Sequence, residues 1–170
     1  DGNLYATLIL TAVASMILGM GLPGVVSYIL LAALVVPALL KLGVPMIPAH
    51  FFISFFSITA FFTPPFCPAV YAAAGIAKSP IMKTGYTAMC IGSACYIIPF
   101  MFVLDPTLLG MGSIWHVALA VITSLIGVFM LAVAVEGFFR APVALPGRLI
   151  AAAGALLLIK PGIITDVIGL

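Results

Sequence analysis

Thr63, Pro64 and Pro65, with Pro68 three positions further on, stand in the middle of an apolar stretch that runs from about Ile47 to Ala77. Proline has no N–H to donate and clashes with the carbonyl one turn back, so an unbroken helix is not expected through this stretch. The pattern predicts two half-helices. The first ends near Ala60–Phe62, and the second opens at Pro64 with Thr63 as its N-cap. A helix that ends leaves carbonyls without donors, and these can replace water around a small hard cation. The Thr63 hydroxyl adds a further oxygen. A helix that starts offers unpaired N–H groups and a positive dipole end, which suit an anion. The sequence Gly19-Met20-Gly21-Leu22-Pro23-Gly24 repeats the design, with a break followed by a proline-opened helix. The carbonyls around Gly19 and Ala60, with Thr63, are therefore candidates for a cation. Gly21, Pro23, Thr63, Pro64 and Pro65 are candidates for an anionic substrate. Cation and anion held close together in broken helices is an arrangement that permits ion-coupled carboxylate uptake. The alternative is a pair of proline kinks that hold no ligand.

The surroundings of these breaks are a membrane. The chain has 170 residues, of which 65% are hydrophobic and 6% charged, and its mean hydropathy is +1.42. Soluble domains carry about a quarter charged residues, so an all-α integral membrane protein is expected. A net charge of +2 gives no reason to expect nucleic acid as a partner. Residues 1–43 read as a helical hairpin. Its arms, Leu4 to Leu18 and Val25 to Leu40, are short for crossings of about 20 residues, which suggests a re-entrant hairpin rather than one long helix with a flexible middle. Lys41 and Gly43 close it, Gly43 as the residue after the C-cap. Residues 44–79 hold the broken helix, entered through Pro48 and His50. His50 reads as an interfacial residue, with a proton relay as the other possibility.

Residues 80–170 hold further transmembrane helices. Ala77 to Gly85 reads as a polar loop, followed by a span from Tyr86 to Leu104. Pro99 is expected to kink the span, while Tyr96 reads as a packing residue among Phe and Ile. Asp105-Pro106-Thr107 is a turn. A span from about Ile114 to Val135 carries Trp115 and His116 at its entrance, Glu136 to Arg148 is a basic loop, and Leu149 to Ile159 is apolar before Lys160-Pro161-Gly162. The positive-inside rule puts Lys78 and Lys83, and Arg140 and Arg148, on the cytoplasmic side and Asp105 outside. Lys41 then falls outside as an exception. The chain starts without Met or a basic n-region and stops inside an apolar pattern, so a piece of a longer chain is expected.

Between Gly2 and Leu104 there is no Asp or Glu. Proton pumps run on intramembrane carboxylates, so neutral coordination of Na⁺ is favoured over a proton relay. Cys67, Cys90 and Cys95 show no metal or redox spacing and read as small packing residues. No catalytic constellation is present, so an enzyme is not expected. Ser15, Ser27, Ser54 and Ser57 read as helix-packing residues.

The segments Gly19-Met20-Gly21-Leu22-Pro23, Ala49-His50, Thr63-Pro64-Pro65 and Ala72-Ala73-Ala74-Gly75-Ile76-Ala77 together resemble the large membrane subunit of TRAP transporters (tripartite ATP-independent periplasmic transporters). Met82-Lys83-Thr84-Gly85, the run from Ile98-Pro99 to Asp105-Pro106, and the tail from Lys160 to Asp166 resemble the branch in which small and large membrane subunits are fused. The resemblance implies a fold of two inverted repeats that moves as an elevator, with this chain holding the second repeat's hairpin and broken helix plus scaffold helices. It implies Na⁺-driven import of organic acids delivered by a periplasmic substrate-binding protein, a small membrane subunit or its fused equivalent, and a bacterial or archaeal cytoplasmic (inner) membrane. It implies a sodium site at Gly19, Ala60, Thr63 and Phe66. Many relatives carry Gly where this chain has Ala60, but the contacts there are backbone carbonyls. Two alternatives remain: a sodium/carboxylate transporter that works without a binding protein, and a membrane scaffold module that transports nothing.

Overall fold

The structure is a computed structural model that describes residues 3–160, 162 and 169. Most of the tail resemblance, and the apolar run from Ile163, lie outside the described residues. The chain divides into two compact units, Asp1–Val103 and Leu104–Leu170. Four stretches are long and apolar enough to cross a membrane among the described residues: Leu4–Gly21, Gly24–Lys41, Ile81–Leu104 and Ile114–Glu136. The chain is a multi-pass, all-helical membrane protein, apart from a two-residue antiparallel ladder between β1 (Phe138–Phe139) and β2 (Ala141–Pro142).

The first unit is arranged around α4 (Met46–Thr59), against which α1 (Leu4–Gly21), α2 (Gly24–Leu34) and α3 (Val36–Lys41) pack. α1 starts at Asn3, whose side chain accepts from the N–H groups of Tyr5 and Ala6. Its buried stripe, Leu8, Thr11, Ala12, Ser15 and Gly19, recurs every three or four residues, while Ile9, Leu10, Val13 and Ile17 are exposed. Small and hydroxyl residues inside, with large apolar ones outside, is the pattern of helices that pack in lipid. The expected first arm stopped at Leu18, but α1 continues through Gly19 to Gly21. The break shrinks to Leu22 and Pro23, both extended. The second arm divides near Val35, where Pro37 cannot donate to the preceding turn. Gly43, with φ 85°, ends α3 as expected. Its N–H reaches Leu40 O at 3.0 Å and that of Val44 reaches Leu39 O at 3.1 Å, the paired bonds of a Schellman turn.

After α4 the chain is irregular until α5 (Pro68–Ala77). The expectation that the second half-helix opens at Pro64, capped by Thr63, is corrected here. Pro68 occupies the first turn, and Cys67 precedes it without a side-chain cap. The Thr63 hydroxyl points back to α4 instead. The residues expected as a polar loop before Tyr86 are also partly helical, because α6 (Ile81–Ile91) begins directly after Pro80. α7 (Ala94–Leu104) follows. A tight turn at Gly92–Ser93 links the two, with Cys95 N–H bonded to Gly92 O at 2.9 Å and Tyr96 N–H to Ser93 O at 3.2 Å, so they form one bent span. Edge-to-face contacts of Phe100 with Phe52 and Phe56, and of Phe102 with Phe51 and Phe55, fasten α7 to α4.

In the second unit a 3₁₀ turn, Pro106–Leu109, leads to α8 (Ile114–Glu136) and then to α9 (Leu145–Ile159). The expected basic loop is shorter than Glu136–Arg148, because α9 already includes Arg148. Gly127 lets α9 approach closely: a Cβ there would lie 2.8 Å from Ile159 Cγ1 and 3.0 Å from Ala155 O. Arg148 donates to Ala134 O and Val135 O at 2.8 and 2.7 Å, satisfying the end of α8.

Candidate functional site

The break between α4 and α5 folds back on itself. Phe61 N–H bonds to Ile58 O at 3.0 Å and Phe62 N–H to Thr59 O at 3.2 Å, tightening the last turn of α4. Pro64 and Pro65 carry no N–H, and the peptide between them is cis. Ala69 N–H is held by Phe61 O at 3.1 Å and Val70 N–H by Cys67 O at 2.9 Å. The start of α5 therefore keeps few free donors. The carbonyls of Ala60, Phe62, Thr63 and Phe66, in contrast, accept no backbone hydrogen bond among the described residues.

The end of α1 lies directly against this break. A Cβ on Gly19 would be 2.8 Å from both Ala60 Cβ and Ser57 O. Gly19 is buried and Ala60 is fully enclosed. Leu22, extended after α1, returns no bond to the helix, so the carbonyls of Gly19, Met20 and Gly21 accept nothing from beyond it. Two helix C-termini, each with uncommitted carbonyls, thus meet at Gly19 and Ala60. Each helix ends in the negative end of its dipole, so the place where the two ends meet suits a positive charge.

Thr63 is buried on the same break. Its hydroxyl donates to Thr59 O at 2.6 Å and lies 2.6 Å from the Tyr96 hydroxyl. Tyr96 was expected only to pack. It does stack edge-on against Phe62, at 6.0 Å between ring centroids. Its hydroxyl, however, is tied to the candidate oxygen. The signal was available in the sequence: a tyrosine in mid-span must find a partner for its O–H or pay the cost of burying it alone.

Phe66 turns its side chain outward, 57% exposed, which leaves its backbone as the part able to serve a site. Gly21 and Pro23 are also exposed, with nothing within 4 Å of a Cβ on Gly21. The donors expected for an anion lie nearby. Gly24, Val25 and Val26 open α2 with no side-chain cap and no acceptor among the described residues. A cavity of about 430 Å³ lies at this helix start, lined by Gly24, Val25, Tyr28, Ser54, Ile58 and Phe61. Its lining is mostly apolar, with the Ser54 and Tyr28 hydroxyls as polar points. In the sequence Pro23 stands out as the opening residue, Gly24 as part of the break and Ser54 as a packing residue, while Tyr28 does not stand out. Pro64 and Pro65 lie on the other break and are not in this lining. Tyr28 continues the cleft by bonding His50 Nδ1 at 2.9 Å, so His50 is joined to α2 rather than left alone at the surface.

The serines follow their expected packing role in part. Ser27 and Ser57 are buried, with hydroxyls 3.5 Å apart, and Ser57 donates to Ile53 O at 2.8 Å. Ser15 is fully buried, and its hydroxyl has no partner among the described residues.

Residues 1–117 fit the family model described as tripartite ATP-independent periplasmic transporter, DctM component. No curated protein and no solved structure matches the chain. The matched region contains both breaks, the Gly19–Ala60 contact and the span carrying Tyr96. The chain belongs to the tripartite ATP-independent periplasmic transporter family, as its large membrane component, a family of transporters and not of enzymes.

Proposed function

We propose that the chain is the ion- and substrate-binding part of a Na⁺-coupled permease that imports organic acids handed over by a periplasmic substrate-binding protein. The observation that carries this reading is the meeting of two helix C-termini at Gly19 and Ala60, with unclaimed carbonyls on both sides. Such oxygens suit a small hard cation. Gly19, Ala60, Thr63 and Phe66 would supply the oxygens, three from the backbone and Thr63 with its hydroxyl as well. The absence of Asp and Glu from Gly2 to Leu104 favours Na⁺ over a proton as the coupling ion.

The substrate carboxylate would sit at the uncapped start of α2, in the cleft with Ser54 and Tyr28, while Gly21, Pro23, Thr63, Pro64 and Pro65 frame the two breaks. In this reading α1 and α2 form a re-entrant hairpin of the second inverted repeat of an elevator-type permease. The chain works with a small membrane subunit, or its fused equivalent, in a bacterial or archaeal cytoplasmic membrane. Family membership supports the binding protein and the additional membrane subunit.

The test is uptake of labelled organic acids by the complete permease in proteoliposomes, with and without a Na⁺ gradient and with and without its binding protein. Uptake that requires both is expected. Uptake with Na⁺ alone would remove the binding protein from the mechanism, and uptake driven equally by a proton gradient would remove Na⁺.

A further inference from the structure

The span from Ile81 to Leu104 touches the α4–α5 break at three positions. Gly85 lies under Pro64, where a Cβ would come within 2.7 Å of Pro64 Cγ. Gly92 lies under Phe62, where a Cβ would come within 2.7 Å of the ring. Tyr96 reaches Thr63 with its hydroxyl and Phe62 with its ring. Gly85 lies on α6, Gly92 at the turn and Tyr96 on α7, and all three touch the break. Two of the three contacts are steric, made by glycines that allow close approach. The third is polar and ends on the hydroxyl that the proposed site would use.

We propose that Tyr96 is a positioning residue for ion binding: its hydroxyl fixes which lone pair of Thr63 Oγ1 is left for the cation. The inference rests on the reading of Thr63 as an ion ligand. A threonine hydroxyl has one proton and two lone pairs. The proton of Thr63 is engaged by Thr59 O at 2.6 Å, so Tyr96 must be the donor in the 2.6 Å contact. One lone pair is thereby occupied and one is left, with its direction set by two short bonds. Without the Tyr96 hydroxyl, Thr63 Oγ1 would keep its bond to Thr59 but could turn about it, and the cation would have to order it on binding. Ordering before binding raises affinity. Tyr96 acts only through Thr63 and needs no contact with the ion.

The experiment compares Tyr96→Phe, Thr63→Ala and Tyr96→Leu in the complete permease in proteoliposomes. Half-saturating Na⁺ and substrate KM at saturating Na⁺ are measured, together with the protection by Na⁺ of the purified permease against thermal unfolding. Tyr96→Phe keeps the ring against Phe62 and loses only the hydroxyl. It should raise half-saturating Na⁺ by roughly three- to tenfold, the factor that one hydrogen bond carries, while KM at saturating Na⁺ stays unchanged. A purely structural role would instead lower thermal stability with and without Na⁺ equally, and Tyr96→Leu shows what that loss looks like. Unchanged Na⁺ dependence in Tyr96→Phe, beside a raised requirement in Thr63→Ala, would overturn the role of Tyr96 and leave the Thr63 site standing. Unchanged Na⁺ dependence in Thr63→Ala would overturn the site itself, and this inference with it.

Discussion

Gly19 and Ala60 meet too closely for a side chain on Gly19: a Cβ there would stand 2.8 Å from the Ala60 methyl. The contact joins the ends of α1 and α4, and everything proposed about ion binding depends on it. Gly19→Ala should therefore be costly. The new methyl would collide with Ser57 O as well as with Ala60, and backbone cannot swing aside. Overpacking of this kind costs about 1–3 kcal/mol, read as a fall in thermal stability of the purified permease. Ala60→Gly should restore part of the loss, since it removes one of the two colliding groups. Gly21→Ala, two residues on and facing open space, should stay within about 0.5 kcal/mol of the parent. Equal effects at Gly19 and Gly21 would contradict the packing.

Thr63 allows a chemical test at the same place. Thr63→Ser keeps the oxygen and should keep Na⁺ dependence near the parent. Thr63→Ala removes it and should raise half-saturating Na⁺ by roughly tenfold, equivalent to about 1.4 kcal/mol. Because the Thr63 hydroxyl also bonds Thr59 O and Tyr96, thermal stability without Na⁺ is measured in parallel. A Thr63→Ala permease with reduced stability but unaltered Na⁺ affinity would make Thr63 a brace only.

What the sequence revealed and what it concealed have physical causes. Hydropathy and prolines announce a membrane helix interrupted near Thr63, because lipid and the missing N–H leave few alternatives. Gly43 was legible because a positive φ after a helix favours glycine. The start of α5 was not, since Pro64, Pro65 and Pro68 are all acceptable at a first turn, and only tertiary bonds choose among them. Thr63 illustrates the choice: its hydroxyl found Thr59 and Tyr96 rather than the N–H groups ahead of it. Gly19 read as part of a helix break and Gly85 as part of a polar loop, and Gly92 carried no reading of its own. Each turned out to be a place where another segment comes too close for a Cβ. Close approach between distant segments leaves no local pattern to read.

Gly85 gives a prediction on the opposite side of the break. A Cβ there would press on Pro64 Cγ at 2.7 Å and stand 3.6 Å from Val70. Gly85→Val should push the Ile81–Leu104 span away from the break and cost about 1–3 kcal/mol of stability. It should also raise half-saturating Na⁺, because displacing the span takes Tyr96 from Thr63. Gly75→Ala, on α5 with no neighbour within 4 Å, is the control and should change neither. A Gly85→Val permease with parental stability would show that Pro64 has room to move.

Arg148 tests the second unit on its own terms. Its guanidinium donates to the carbonyls of Ala134 and Val135, and its side chain covers Gly137, which turns the chain out of α8 with φ 71°. Charge-assisted bonds of this kind contribute more than neutral ones, and their removal leaves carbonyls without donors at a half-buried helix end. Arg148→Met keeps the length of the side chain and loses the donors, and should destabilise the α8–α9 pair by about 1–3 kcal/mol. Arg140, exposed in the loop before α9 with its guanidinium 5.9 Å from the Phe139 ring, makes no comparable cap among the described residues, and Arg140→Met should stay within about 0.5 kcal/mol. Both substitutions remove one positive charge from the same side of the membrane. If that charge alone mattered, through orientation of the loop, the two variants would behave alike. A loss confined to Arg148→Met, seen as earlier proteolysis between α8 and α9 on heating, would assign the effect to the cap.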